Sequence, residues 1–311
     1  MLRLKVCATA VCAFVSGLTN LSTANADPNT VMQGPPQRDV LSAVRYALEN
    51  PKAIPSGMND FSCKPAAAHP YPVVLVNGTF GNMYMNWSMY SPQLAADGYC
   101  VFGLDYGSGS GPISSPFWHQ VGSMRSSARE LGDFIEVVRG ATGAAKVDLV
   151  GYSQGGLVPL YYINQLGGAD EVDTMIGVAP PSNGIAVYGI LPWIASNQGV
   201  SAAFDSAIPA VQDVTAGSDF VRETASGGLA RPNVRYVTIV SRTDSVVQLG
   251  DAHLPDGPNV TNMAIQDQCA DYYGDHTTYI YNEIALRLVR NSLDLANAVP
   301  LQCRLVLPLV N

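Results

Sequence analysis

The stretch Lys146-Val-Asp-Leu-Val-Gly-Tyr-Ser-Gln-Gly-Gly156 constrains this chain more than any other. An apolar run (Val147, Leu149, Val150) ends at Gly151-Tyr152-Ser153-Gln154-Gly155, and Gly156-Leu-Val-Pro-Leu-Tyr-Tyr-Ile follows. The pattern reads as a strand, a turn too tight for side chains on either side of the serine, and a helix. Gly151 and Gly155 remove the Cβ atoms that would clash across such a turn, and Ser153 is forced into a strained backbone conformation. Its hydroxyl then stands at a helix N-terminus, where backbone N–H groups face a developing negative charge.

The remaining chain supplies more strands and helices in alternation. Val40, Leu41, Val44 and Leu48 fall at helical spacing over 39–48, after an extended, proline-rich arm at 27–37. Residues 51–70 read as a loop, Pro72–Asn77 as a buried strand, 85–96 as a helix and Tyr99–Leu104 as a strand. A Gly/Ser-rich loop over 107–115 precedes a helix at 120–139, with Val121, Met124, Ala128, Leu131, Ile135 and Val138 on one face. Strands follow the elbow helix at Asp173–Val178, Asn233–Val240 and Val260–Ile265, and a long helix over 279–293 closes the pattern. Alternating strands and helices predict a mostly parallel central sheet flanked by helices. Ligands of such sheets lie beyond the carboxyl ends of the strands, where Gly78-Thr79, Ser153 and the residues after Val240 fall. The stretch 182–232 is too long for a connection. It reads as a helical cap over the site, either a mobile lid or a fixed cover.

A serine raised on such an elbow needs a base, an acid and oxyanion donors, and in this architecture the acid and the histidine follow the serine in that order. Of His69, His119, His253 and His276, only the last two follow Ser153. His253 sits in a Pro/Asp/Gly loop that suits a structural histidine. His276 lies after the last strand and just before the closing helix, where the base is expected. Asp244, just past the strand ending at Val240, is the expected acid; Asp251, Asp267, Asp271 and Asp275 are competitors. The loop Asn77-Gly78-Thr79 should offer the Thr79 N–H, and its hydroxyl as a third donor, beside the Gln154 N–H.

Residues 1–26 read as a secretory signal peptide: Arg3 and Lys5, an apolar run from Val6 to Leu18, and Ala24-Asn25-Ala26 before Asp27. The apolar run is too short and interrupted to span a membrane. Cleavage near Ala26 would release an extracellular protein, residues 27–311, as one catalytic domain with the cap inserted. Cys7 and Cys12 leave with the leader. The four remaining cysteines, by placement, pair as Cys63–Cys100 and Cys269–Cys303. The second pair would pin the His276 loop to the C-terminal tail. With 25 acidic residues against 17 Lys and Arg, the chain is a poor partner for nucleic acid or anionic membranes. Stable membrane insertion is not expected, although contact with a lipid–water interface is compatible with the reading, as is a monomer.

Val-Leu-Val-Asn-Gly-Thr-Phe-Gly-Asn, Gly-Tyr-Ser-Gln-Gly-Gly, Arg-Thr-Asp-Ser-Val-Val and Asp-His-Thr together resemble the secreted bacterial lipases and esterases of the class 2 lipase family. They are also similar to the yeast lipase B type. The resemblance covers roughly residues 60–303. It implies an α/β-hydrolase fold, carboxylic-ester hydrolysis through an acyl-enzyme, and no organic cofactor. It names Ser153, Asp244 and His276 as a triad, with Thr79 and Gln154 forming the oxyanion hole. The bacterial family usually has His where this chain has Asn77. No spacing of Asp267, Asp271 and Asp275 forms a recognised calcium loop, so no metal is expected. The same triad could serve acyl transfer to an alcohol, and a catalytically inactive lipid-binding homologue is a rival of a different class.

Overall fold

The computed structural model describes residues 32–109, 118–186 and 208–308. The leader over 1–26, with Cys7 and Cys12, lies outside the described residues, as do parts of the Gly/Ser-rich loop and of the cap stretch.

Short β1 (Met32–Gly34) opens the described chain, followed by α1 (Val40–Glu49) and β2 (Ala53–Pro55); β1 and β2 pair in parallel as a separate ribbon. The arm and the loop expected on either side of α1 therefore each carry a strand. Asp39 caps α1 by accepting from the Ser42 N–H.

The main sheet begins with β3 (Val73–Val76). Next come α2 (Met83–Trp87), α3 (Tyr90–Ala96) and β4 (Val101–Leu104). The single helix expected over 85–96 is thus two. Pro92 explains the break: its ring would collide with the Ser88 carbonyl four residues earlier, so the helix cannot run through Ser88 and Met89. The amphipathic α4 (Met124–Thr142) buries Met124, Ala128, Leu131, Ile135 and Val138 and stops at Gly143, whose φ is 78°. Then follow β5 (Val147–Tyr152), α5 (Gln154–Gln165) and β6 (Val172–Val178). Within the cap stretch lie α6 (Pro209–Val214) and α7 (Asp219–Ala225). The chain closes with β7 (Arg235–Val240), a single turn α8 (Leu249–Ala252), β8 (Val260–Ala264) and α9 (Glu283–Leu293). The closing helix starts later than its apolar pattern suggests. Asn282 sits in extended conformation and accepts from the Ile284 and Ala285 N–H groups, so it caps α9 and separates it from the turn at Tyr279–Tyr281.

The sheet order is β4-β3-β5-β6-β7-β8, every neighbouring pair parallel. Val73, Val74, Leu75 and Val76 are wholly buried, as are Val147, Leu149 and Val150. The unbroken apolar run of β3 fits a strand covered on both faces. From β3 the chain moves outward to β4, then returns to the other side of β3 with β5 and continues away through β8. The reversal falls between β3 and β5, the place where ligands of open parallel sheets usually bind.

The two helices α6 and α7 pack onto this body. The Arg125 guanidinium forks onto the Glu223 carboxylate through two 2.9 Å bonds and reaches Asp213 at 3.3 Å. Asp213 also accepts from the Met124 N–H at the start of α4. The Phe220 ring stacks on Tyr161 of α5 at 4.6 Å. Two disulfides brace the edges. Cys63–Cys100 ties the segment before β3 to the entry of β4, and Cys269–Cys303 ties the segment after β8 to the tail.

Candidate active site

The turn after β5 is as constrained as its glycines require. Ser153 has φ 52° and ψ −127°, a region an L-residue occupies only when its surroundings insist. A Cβ on Gly151 would lie 1.8 Å from the Gly155 carbonyl oxygen, and one on Gly155 would lie 2.1 Å from that of Val76. Any larger residue at either place would push the elbow off the sheet. The elbow thus presses against the end of β3, and a Cβ on Gly78 would come within 3.2 Å of Ser153 Cβ.

Three side chains from three strand ends meet here. His276 Nε2 lies 2.9 Å from Ser153 Oγ, and His276 Nδ1 lies 2.9 Å from Asp244 Oδ2. An ionised carboxylate only accepts, so Nδ1 carries the proton and Nε2 is left to accept from the serine hydroxyl. The Asp244 carboxylate is fully engaged. Oδ1 accepts from the Val246 and Val247 N–H groups at 2.8 and 2.9 Å; Oδ2 accepts from the Tyr279 hydroxyl at 2.9 Å as well as from His276. Burial pushes this carboxyl up, but the hydrogen bond and charge of His276 and the two backbone N–H groups outweigh it. Its pKa therefore lies below the usual 3.8.

Three of the four competing acids, Asp251, Asp267 and Asp275, are occupied elsewhere. Asp251 accepts from the Gln248 N–H, and Asp267 pairs with Arg242. Asp275 has a structural task next door: its Oδ1 accepts from the Ser245 N–H at 2.8 Å and from the His276 N–H at 2.7 Å, bridging the acid loop to the histidine loop. The His253 carbonyl is held by Asn183. His69 lies against the Tyr99 ring, and His119 faces Asp105 at 3.9 Å.

Beside the serine, the Thr79 hydroxyl donates to Gln154 Oε1 at 2.7 Å. Among the described residues neither the Thr79 nor the Gln154 backbone N–H has an acceptor. Two backbone donors beside Ser153 are thus left unengaged. The loop that carries Thr79 is held from beneath. Fully buried Asn77 donates to the Leu104 carbonyl and to Asp105 Oδ1, both at 3.0 Å, and accepts from the Trp87 indole at 2.8 Å. Its carbonyl accepts from the Tyr106 hydroxyl. Asp105 Oδ1 also accepts from the Met83 N–H, and Asn86 Oδ1 accepts from the Gly78 N–H at 2.7 Å. The Asn at this position therefore sits in a complete hydrogen-bond set. Phe80 follows at φ 61°, its N–H on the His119 carbonyl and its ring, 39% exposed, edge-on to Trp118.

Several contributors have no sequence signature of their own. Tyr279 braces Asp244 and also accepts from the Ser241 N–H. Tyr152 holds the His276 carbonyl with its hydroxyl at 2.8 Å. Asp275 was visible as the residue beside His276, and Tyr152 as the variable position of the elbow; Tyr279 offered no signal. Among the described residues no group of three or more His, Cys, Asp or Glu stands together as a metal site would require. None of the described helices is long and apolar enough to cross a membrane.

A family model described as lipase (class 2) matches residues 70–279. The structure is similar to lipase B of Aspergillus fumigatus, with a TM-score of 0.60 and 20% identity, over 94% of this chain and 69% of that one. It is also similar to a lipase of Bacillus licheniformis in its mature form, with a TM-score of 0.54 and 19% identity, over 74% of this chain and 94% of that one. At these identities the likeness establishes the α/β-hydrolase fold, while the family match spans every strand of the main sheet and the elbow, Asp244 and His276 besides. The chain belongs to the class 2 lipase family of carboxylic-ester hydrolases.

Proposed function

We propose that this protein cleaves carboxylic esters, as a lipase or esterase, through a Ser153–His276–Asp244 triad and an acyl-enzyme. The observation that carries the reading is the unbroken relay of 2.9 Å contacts from Ser153 Oγ through His276 to Asp244. His276 Nε2 takes the hydroxyl proton as Ser153 Oγ bonds to the ester carbonyl carbon. The carbonyl electron pair moves onto oxygen, which lies against the Thr79 and Gln154 N–H groups. The intermediate collapses, the bond to the alcohol oxygen breaks, and His276 returns the proton to that oxygen. Water then repeats the sequence on the acyl-enzyme. Asp244 holds the imidazole tautomer and stabilises the imidazolium without taking the proton.

The leader composition and the two disulfides support export, with cleavage near Ala26 and residues 27–311 as the working enzyme. N-terminal sequencing of the secreted protein tests it. The exposed Phe80 ring beside Thr79, backed by Trp118, supports an apolar group next to the scissile bond.

Ser153→Ala should lower kcat on a chromogenic short-chain ester by at least roughly 10⁴-fold, on the scale of triad removal in other serine hydrolases. It should also abolish labelling by a fluorophosphonate. Near-full activity of the purified variant would end the proposal. Rates measured from acetate to oleate esters, below and above substrate solubility, separate a lipase from a soluble-ester esterase.

A further inference from the structure

Gln154 is buried to 1% exposure, yet only one end of its carboxamide is used. Oε1 accepts from the Thr79 hydroxyl, while Nε2 is buried and meets no acceptor among the described residues. Buried amide nitrogens are rarely left so, and each such case asks for an explanation. The same contact poses a second question. The Thr79 hydroxyl owns one hydrogen. While that hydrogen points at Oε1, it is withheld from any oxyanion on the other side of Thr79.

One movement answers both. The terminal torsion of a glutamine is broad and roughly two-fold, so a half-turn of the carboxamide exchanges Oε1 and Nε2 in almost the same volume. Nε2 then donates to Thr79 Oγ1, and the hydroxyl hydrogen is released. One hydrogen bond exists before the turn and one after it. The orphaned nitrogen is replaced by an orphaned carbonyl oxygen, so the protein loses no bond by flipping. The negative charge on the substrate oxygen is what favours the flipped state, because a charge-assisted bond from the Thr79 hydroxyl is gained there.

We infer that the Gln154 side chain is a positioning residue that reverses the polarity of its bond to Thr79. The oxyanion seat holds two backbone donors at rest and gains the Thr79 hydroxyl as a third when charge develops. The inference rests on the ester-hydrolase reading above and concerns the side chain, not the Gln154 N–H that the reading already uses.

The test is a set of double-mutant cycles on a soluble ester at pH 9, reading kcat and KM, with fluorophosphonate labelling and Tm recorded for each variant. Thr79→Val should lower kcat by about 10²-fold with little change in KM, the usual cost of one lost oxyanion donor. Thr79→Ser, which keeps the hydroxyl, should restore most of it. Gln154→Glu presents an acceptor that cannot turn into a donor, so it holds the hydroxyl hydrogen permanently. Adding Thr79→Val to it should then cost less than about two-fold, against the roughly hundred-fold expected in the parent. Gln154→Met neither accepts nor donates strongly, so Thr79→Val should keep its full effect there. If Thr79→Val costs the same factor in the parent and in the Gln154→Glu background, or has no effect on kcat in the parent, the inference is overturned and the ester-hydrolase reading stands. If the unmodified enzyme neither labels nor turns over any ester, that reading falls and takes the inference with it.

Discussion

Asp244 illustrates how a single carboxylate is fixed in charge and in place. Its oxygens accept two backbone N–H groups, a tyrosine hydroxyl and an imidazole, which uses the capacity of both oxygens. The ionised form is favoured, so the folded pKa lies below the unfolded value. The stability it contributes is present above pH 3.8 and is lost as pH falls through the lowered folded value. Asp244→Asn should therefore flatten the acid side of the stability profile, which urea melts between about pH 3 and 7 would reveal. The same change should reduce kcat by about 10⁴-fold with geometry kept, since an amide stabilises the wrong imidazole tautomer. Ser153 and Asp244 could be picked out because sterics and position after a strand mark them. Tyr279 could not, because its role exists only once the chain brings it 35 residues forward onto Asp244.

At the level of elements, β5 carries a tension unrelated to the site. Asp148 is buried in the middle of the sheet, where its carboxylate accepts from the Thr174 N–H at 3.1 Å. Burial, reinforced by Asp173 and opposed by Arg235, pushes its pKa up to about 7. The folded state thus binds this proton more tightly than the unfolded chain. Stability is full below about pH 4 as far as this group is concerned, and declines as pH rises through about 7. Asp148→Asn should be more stable than the parent by roughly 2–4 kcal/mol at about pH 8.5, with the gap narrowing as pH falls and closing only below about pH 4. Equal pH profiles for the two proteins would refute it. Element boundaries show what periodicity hides. Apolar spacing ran straight through 85–96 and 279–293, while Pro92 and the Asn282 cap each set a break. The β1–β2 ribbon has no signature in the sequence because three-residue strands are too short to show a pattern.

Across the whole molecule, the site depends on segments far apart in the chain being held together. Cys269–Cys303 anchors the tail, whose Val306 exchanges backbone hydrogen bonds with Asp271 and Tyr273 just ahead of His276. Replacing both cysteines by serine should cost about 3–4 kcal/mol on the loop-entropy account, seen as a lower Tm. It should also lower kcat more than it alters KM, because the histidine loop loses its tether while the Thr79 and Ser153 turns are untouched.

The sequence by itself determined whatever rests on local sterics and pattern: the strained serine turn, the run of buried parallel strands, the amphipathic face of α4 and the choice of His276 as the residue ahead of the closing helix. The tertiary structure alone decided that β3 and β5 lie side by side with the chain reversing between them, which sets Thr79 against Gln154. It also decided that Asn77 finds four partners under the loop and that Tyr279 braces Asp244. A local constraint is carried by neighbours in the chain and can be read from them. A hydrogen bond between residues tens of positions apart exists only after the sheet has chosen its order, and no stretch of sequence contains it.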